Sequence, residues 1–135
     1  MKTRSDLLPQ ILLGGLVVAA VIAGIIVVGG PKAGRMERRD TIRLEDLRKL
    51  AEFVRCVAST ENKQLPEVLQ PQAACTGQAR LADPYTDVPY TYRKTSDTTF
   101  QVCAAFERPD AVIYTYFASG TFDAETGCAT VTYYR

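Results

Sequence analysis

The sequence predicts an α+β domain joined to one N-terminal transmembrane helix, and three features predict it. Residues 11–30 contain no charged side chain. Residues 40–58 place apolar side chains at helical spacing, which is typical of an amphipathic helix. Residues 90–134 contain short β-rich runs separated by turn residues, which indicates about four antiparallel strands. An amphipathic helix packed on one face of such a sheet gives an α+β fold.

The apolar run over residues 11–30 reads ILLGGLVVAAVIAGIIVVGG. At about 1.5 Å per residue it spans about 30 Å, the hydrocarbon thickness of a bilayer. A cleaved signal peptide is one alternative, but its apolar core is only about 7–15 residues long. A buried core helix is another, but it rarely lacks polar residues throughout. We predict a short tail over residues 1–10 and a transmembrane helix over 11–30.

Small residues recur every fourth position in this run, at Gly15, Ala19 and Ala23. This spacing places them on one helix face, where a second helix can approach closely. The simpler interpretation is that Gly and Ala are common in membrane helices. We predict self-association, or contact with another membrane protein, through this face.

We expect Gly29-Gly30-Pro31 and Gly34 to break the helix at the membrane surface. After this break we predict a juxtamembrane linker over 31–39 and the α+β domain over 40–135. The helix of the domain should begin near Asp40 or Thr41, because either can cap it. Its charged residues are interpreted as a solvated face. Its apolar stripe comprises Leu47, Leu50, Ala51, Val54, Val57 and Ala58.

Four β-rich runs follow, with turn residues between them. Strands are expected over 90–94, 99–106, 111–117 and 128–134, with a hairpin turn over 95–98. In the second strand, Phe100 and Val102 share one face and Cys103 takes the other. In the last strand, Ala129 and Val131 face the core and Cys128 lies opposite them.

The four cysteines, at positions 56, 75, 103 and 128, form no Cys-x-x-Cys pair, so a structural zinc site is not expected. An even count in a small domain beside a membrane anchor indicates two disulfides and an oxidising compartment. The alternative is four thiols in a cytosolic domain. Of the three possible pairings we favour Cys103–Cys128, because two cysteines on one face of a sheet can meet if their strands are close. Cys56 would then pair with Cys75 in the loop that follows the helix.

The basic residues and the cysteines predict opposite orientations in the membrane. Lys32, Arg35, Arg38, Arg39 and Arg43 follow the apolar run, and the positive-inside rule alone would place the domain in the cytoplasm. The cysteines favour the opposite side. We predict a single-pass protein of the cytoplasmic (inner) membrane with an extracytoplasmic C-terminal domain.

Composition argues against several classes of function. There is no histidine, which removes the commonest general base and metal ligand. The net charge of +1 and the lack of a basic tract argue against nucleic-acid binding. Asp83, Asp87 and Asp123 are the best candidates for catalytic carboxylates, yet each lies in a turn-rich segment. We expect no enzyme activity, no catalytic residue, no metal and no cofactor.

Two segments carry a resemblance to a known family. Leu65-Pro66 follows the predicted helix, and the run DPYTDVPYTY covers residues 83–92. The order of elements and these segments resemble type IV pilins and type II secretion pseudopilins. The likeness is greater to small bacterial single-pass membrane proteins with the pattern "DP.TG.PY.YR…LCA.F". Asp87 stands where that pattern has glycine. Its turn and strand residues match at Asp83, Pro84, Pro89, Tyr90 and Tyr92.

The resemblance implies a pilin-like fold and a role in an envelope assembly. We therefore expect an anchored domain that acts through contact with other envelope or membrane proteins. The seven tyrosines supply candidate contact area, although ordinary sheet packing also accounts for them. An anchored small-ligand or ion-sensing domain is the alternative.

Overall fold

The computed structural model describes residues 4–75, 77, 79–112, 117 and 120–134. Two helices open the chain, α1 over Arg4–Val28 and α2 over Gly30–Thr60. Contacts divide the chain into two compact units, Met1–Arg35 and Met36–Arg135. Helix α1 thus begins within the segment predicted as a tail and contains most of the predicted membrane-spanning run.

Helix α2 begins at Gly30, well before the predicted start at Asp40 or Thr41. The prediction took Gly29-Gly30-Pro31 as a helix break followed by a linker over 31–39. The break is confined to the two glycines, whose φ angles are +84° and +67°. Pro31 is tolerated because the first turn of a helix needs no amide donor at that position. Residues 31–39 are therefore helical.

In the part of the chain that the structure describes, the sheet has four antiparallel strands in the order β1-β2-β4-β3. The strands are β1 over Thr91–Lys94, β2 over Thr99–Cys103, β3 over Gly120–Asp123 and β4 over Cys128–Thr132. Strands β1 and β2 form a hairpin across residues 95–98, as predicted. Strands β3 and β4 form a second hairpin, so β2 and β4 are the central pair and β1 and β3 are the edges.

Strand β3 lies at a position where no strand was predicted. The run 111–117 was expected to be a strand because it is rich in β-branched and aromatic residues. Ala111 instead ends a 3₁₀ turn over Pro109–Ala111, and residues 113–116 lie outside the described residues. Strand β3 forms at Gly120–Asp123, where Gly120 lies so close to the Thr130 carbonyl that any larger side chain would collide with it.

The core lies between α2 and one face of the sheet. The apolar stripe of α2 is buried as predicted, together with Phe53. Alternation places Phe100 and Val102 of β2, and Ala129 and Val131 of β4, on the covered face, where all four are fully buried. Tyr133 continues the same face beyond β4. The predicted α+β fold with a four-stranded antiparallel sheet is confirmed.

Candidate functional site

A buried arginine on α2 joins three carboxylates from separate parts of the domain. Arg43 is 1% exposed. Its Nε donates to Asp83 Oδ2 at 2.6 Å, and its Nη1 donates to Asp40 Oδ1 at 2.7 Å and to Glu107 Oε1 at 2.9 Å. Asp40 and Asp83 are also buried. We call these four residues the Arg43 cluster.

Asp40 connects α2 to the segment that follows β2. Its carboxylate accepts hydrogen bonds from the backbone amides of Glu107 at 3.0 Å and Arg108 at 2.6 Å. Arg39 adds an ion pair with the Glu107 carboxylate from the solvent side. The Arg43 cluster therefore fixes the segment after β2 and the turn at Asp83 against the same part of α2.

The charges in the cluster stabilise one another. Burial tends to raise the pKa of Asp83, but hydrogen bonds from the Tyr85 amide and the Arg43 guanidinium outweigh it and hold the pKa below its ordinary value. The hydrogen bond from Arg39 lowers the pKa of Glu107. Burial also acts to lower the pKa of Arg43, yet its carboxylate partners raise it overall. Arg43, Asp83 and Glu107 are therefore charged at neutral pH.

These charges correct part of the interpretation of α2 as a helix with a solvated charged face. Arg48 and Glu52 are exposed as expected, but Arg43 and Asp46 are buried, and so is Asp40, which was expected to cap the helix. Among the described residues, every buried side-chain nitrogen or oxygen has a hydrogen-bond partner. Charged side chains can be buried in this way because each is paired and hydrogen-bonded.

The turn over residues 81–90 is held by its own backbone and by Asp83. The Asp83 amide donates to the Val88 carbonyl at 3.0 Å, and the Tyr90 amide donates to the Leu81 carbonyl at 2.9 Å. Asp83 Oδ1 also accepts from the Tyr85 amide at 2.8 Å. Pro84 lies inside this turn, and Pro89 forms an isolated bridge with Ala82. The five predicted motif residues therefore lie in this turn and in the strand that follows it.

Asp87 adopts a φ of +57°, in the left-handed region that favours glycine. Its amide donates to the Asp83 carbonyl at 2.9 Å, which closes the turn. Aspartate is one of the few residues that enter this region routinely. The position where the resembled pattern has glycine is thus one where the backbone conformation favours glycine.

The two motif tyrosines fasten the turn and β1 to the rest of the domain. The Tyr90 hydroxyl donates to Asp46 Oδ2 at 3.0 Å, and burial with this carboxylate raises the pKa of Tyr90. The Tyr92 hydroxyl donates to the Pro66 carbonyl at 2.7 Å, and burial raises the pKa of Tyr92 to about 12. Tyr92 therefore brings the two segments of the family resemblance into contact.

The same turn exposes apolar side chains. Leu81 is 38% exposed, Tyr85 49% and Val88 54%. The Tyr85 ring also lies 6.0 Å from the Arg39 guanidinium. The turn therefore combines a buried, charged attachment to α2 with an exposed apolar tip, and we call Leu81, Tyr85 and Val88 the turn tip.

Both predicted disulfides are present. Cys56 bonds to Cys75, and Cys103 bonds to Cys128, each with an S–S distance of 2.08 Å. The parity argument holds because Cys103 and Cys128 are directly paired across β2 and β4. The first bond attaches the loop that follows α2 to that helix.

The predicted helix-contact face of α1 is exposed along its length. Gly15, Ala19 and Ala23 are all exposed, and an added side-chain carbon at Gly15 would meet no atom within 4 Å. The chain contains one described helical stretch long and apolar enough to cross a membrane. Contact through this face stays a prediction.

Sequence reasoning missed Arg43, Asp40, Asp46 and Glu107 as members of the site. The available signal was the spacing of Asp40, Arg43 and Asp46, which lie on successive turns of one helix. Among the residues that the structure describes, no group of three or more Asp, Glu, Cys or His side chains could hold a metal ion.

Comparisons with protein-family models, with curated proteins and with solved structures found no match.

Proposed function

We propose that this chain is a membrane-anchored extracytoplasmic domain that acts by binding another envelope protein through the turn tip. The observation that carries the proposal is the exposure of Leu81, Tyr85 and Val88 on a turn held by the buried Asp83–Arg43 ion pair. Binding residues are often located on loops that a rigid scaffold positions. Tyrosine and apolar side chains provide contact area at low entropic cost when they are already held in place.

The anchor and the disulfides support the location. Helix α1 has the length and composition of a membrane span. Two disulfides in a domain of this size are typical of proteins outside the reducing cytosol. We therefore place the domain on the outer side of the cytoplasmic membrane.

A pilin- or pseudopilin-like assembly is the setting that agrees best with the architecture. An apolar helix leads into α2, α2 packs on a four-stranded antiparallel sheet, and Tyr92 joins the Leu65-Pro66 segment to the 83–92 segment. These features support the resemblance, and a partner within such an assembly follows as part of the proposal.

Site-specific photocrosslinking tests the turn-tip contact. A photoreactive residue is placed at Val88 in the full chain, in its native membrane, and the matched control carries it at Val68. Val68 is also apolar and is 68% exposed, but it belongs to a different loop. We expect a discrete crosslinked species from position 88 and none from position 68. Equal yields from both positions, or none from position 88, would contradict the proposal.

A second test concerns self-association through α1. Gly15→Leu fills the small-residue face, whereas Gly14→Leu adds the same bulk about 100° around the helix. Both glycines have open space around them. Crosslinking in membranes should show fewer homodimers for Gly15→Leu than for Gly14→Leu. If the two variants match the wild type, contact through this face is excluded.

A further inference from the structure

The two disulfides lie in different surroundings. Cys75 is buried, and Cys56 packs against the hydrophobic core. Cys103 and Cys128 are half-buried, and neither belongs to the core nor packs against it. Cys75 is therefore the most deeply buried of the four cysteines, whereas Cys56 is half-buried like Cys103 and Cys128.

The sheet places the Cys103–Cys128 bond on the face away from α2. On β2 and β4, the residues next to the cysteines, Val102 and Ala129, point into the core. Cys103 and Cys128 therefore point the other way, beside Gln101 and Thr130. Those two side chains hydrogen-bond to each other at 3.0 Å on this polar face.

Strands β2 and β4 stay paired without this bond. Their register covers five residue pairs, and the ladder continues past the disulfide, since the Ala104 amide donates to the Gly127 carbonyl at 3.0 Å. The core side chains on the opposite face hold the same two strands together. Opening the disulfide therefore requires no separation of the strands.

Cys56–Cys75 lies in a loop that contains no strand among its described residues. Gln72 hydrogen-bonds to Thr60 and Glu61 at the end of α2, and so attaches this loop to the helix beside the disulfide. Cys56 and Cys75 line a surface groove of about 330 Å³, but Cys75 is only 5% exposed. One sulfur of this bond is therefore more deeply buried than either sulfur of Cys103–Cys128.

A groove adjoins Cys103–Cys128. It has a volume of about 300 Å³, and its wall includes Cys103, Ala104 and Thr126 on one side and Val88 and Pro89 of the turn on the other. An extended segment that carries a reactive thiol can approach Cys103–Cys128 along this groove without rearrangement of the core.

We propose that Cys103–Cys128 is a thiol–disulfide exchange site for a dithiol protein. A thiolate of the partner bonds to Cys103 Sγ, which lines the groove, the S–S bond breaks, and Cys128 leaves as a thiolate that takes a proton from water. The partner's second thiolate then attacks the partner's own sulfur in the mixed disulfide and releases Cys103, which is protonated in turn. Two electrons pass to the cysteine pair, and the partner ends as a disulfide. The proposal does not depend on the contact at the turn tip.

Reduction of the full chain in detergent micelles tests this proposal. The oxidised protein is incubated with reduced thioredoxin under native conditions, quenched with acid, labelled with a maleimide and mapped by peptide mass spectrometry. We expect Cys103 and Cys128 to be labelled about tenfold faster than Cys56 and Cys75, since exchange follows access. The circular dichroism spectrum should stay unchanged through the fast phase.

A thioredoxin that lacks its resolving cysteine provides the second readout. It should be trapped on the wild type and on the double variant Cys56→Ser, Cys75→Ser, but not on Cys103→Ser, Cys128→Ser. If both disulfides are reduced at one rate, together with loss of the native spectrum, the exchange site does not exist. Faster reduction of Cys56–Cys75 than of Cys103–Cys128 would also contradict the proposal. The relative reduction rates are measured on the wild type, so they remain decisive even if a variant fails to fold.

Discussion

Arg43 shows how one residue can connect distant parts of a small domain. Its guanidinium reaches Asp83 in the turn, Asp40 on its own helix and Glu107 after β2. Arginine suits this position because its planar fork donates in several fixed directions and stays charged. Lysine, with one ammonium group, cannot reproduce these three directions at once.

Replacement of Arg43 with methionine should destabilise the domain by about 3–5 kcal/mol, because it leaves two buried carboxylates without their cation. Guanidinium unfolding of the full chain in micelles, followed by tyrosine fluorescence, measures the change. Arg38→Met is the matched control on the exposed part of the same helix and should change stability by less than about 0.5 kcal/mol. Similar losses in both variants would show that the cluster has no special role.

Asp87→Gly should stabilise the domain by up to about 1 kcal/mol, because its φ of +57° favours glycine. The same unfolding measurement applies. Asp97→Gly in the β1–β2 turn is the control, and it should give no gain because Asp97 has no positive φ. A loss of stability in Asp87→Gly would mean that the aspartate side chain contributes more than the backbone conformation costs.

The alternation of side chains along the strands predicted correctly which way single residues face. The burial of charged residues was not predicted. Parity placed Cys103 opposite Val102, and the disulfide to Cys128 followed. Arg43 could not be recognised, because a basic residue on an amphipathic helix is usually solvated. Its burial depends on Asp83 and Glu107, which are remote in sequence.

Among the elements, helix α2 and strands β1, β2 and β4 were predictable from periodicity and turn residues. Strand β3 was not, because Gly120 and Asp123 belong to residue types that are depleted in strands. Pairing with β4 outweighs that low propensity. The start of α2 was misplaced because Pro31 fits the first turn of a helix as well as a break.

The β3–β4 hairpin depends on Gly127, which has a φ of +66° and lies where a Cβ would collide with the Ala104 carbonyl. Gly127→Ala should therefore cost about 2–4 kcal/mol, through backbone strain added to a displaced carbonyl. Gly77→Ala is the matched control, because an added carbon there would meet no atom within 4 Å. Urea unfolding compares the two variants, and equal stability would contradict the described turn.

At the scale of the whole molecule, the Arg43 cluster makes the stability of the domain depend on pH in the acidic range. The pKa values of Asp83 and Glu107 lie below their ordinary values in the folded state. Their contribution to the free energy of unfolding is therefore fully present above the pKa values that these groups have in the unfolded chain. It is lost as pH falls through their pKa values in the folded state. We expect a falling melting temperature from about pH 5 downward. With no histidine in the chain, no histidine titration contributes between pH 5 and 8.

The Arg43→Met variant provides the control for this acid dependence. Its unpaired buried carboxylates become easier to accommodate once protonated. The difference in melting temperature between wild type and variant should therefore shrink as pH falls. A constant difference from pH 7 to pH 3 would show that the cluster does not set the acid response.

We propose above that an apolar helix holds a disulfide-bonded domain on the outer side of the cytoplasmic membrane. Thiol labelling of intact cells with a membrane-impermeant maleimide, before and after an impermeant reductant, tests this location and the disulfides together. We expect no labelling before reduction and labelling of the cysteines afterwards, with the protein in the membrane fraction. Cysteines that react only after lysis, without any reductant, would contradict it.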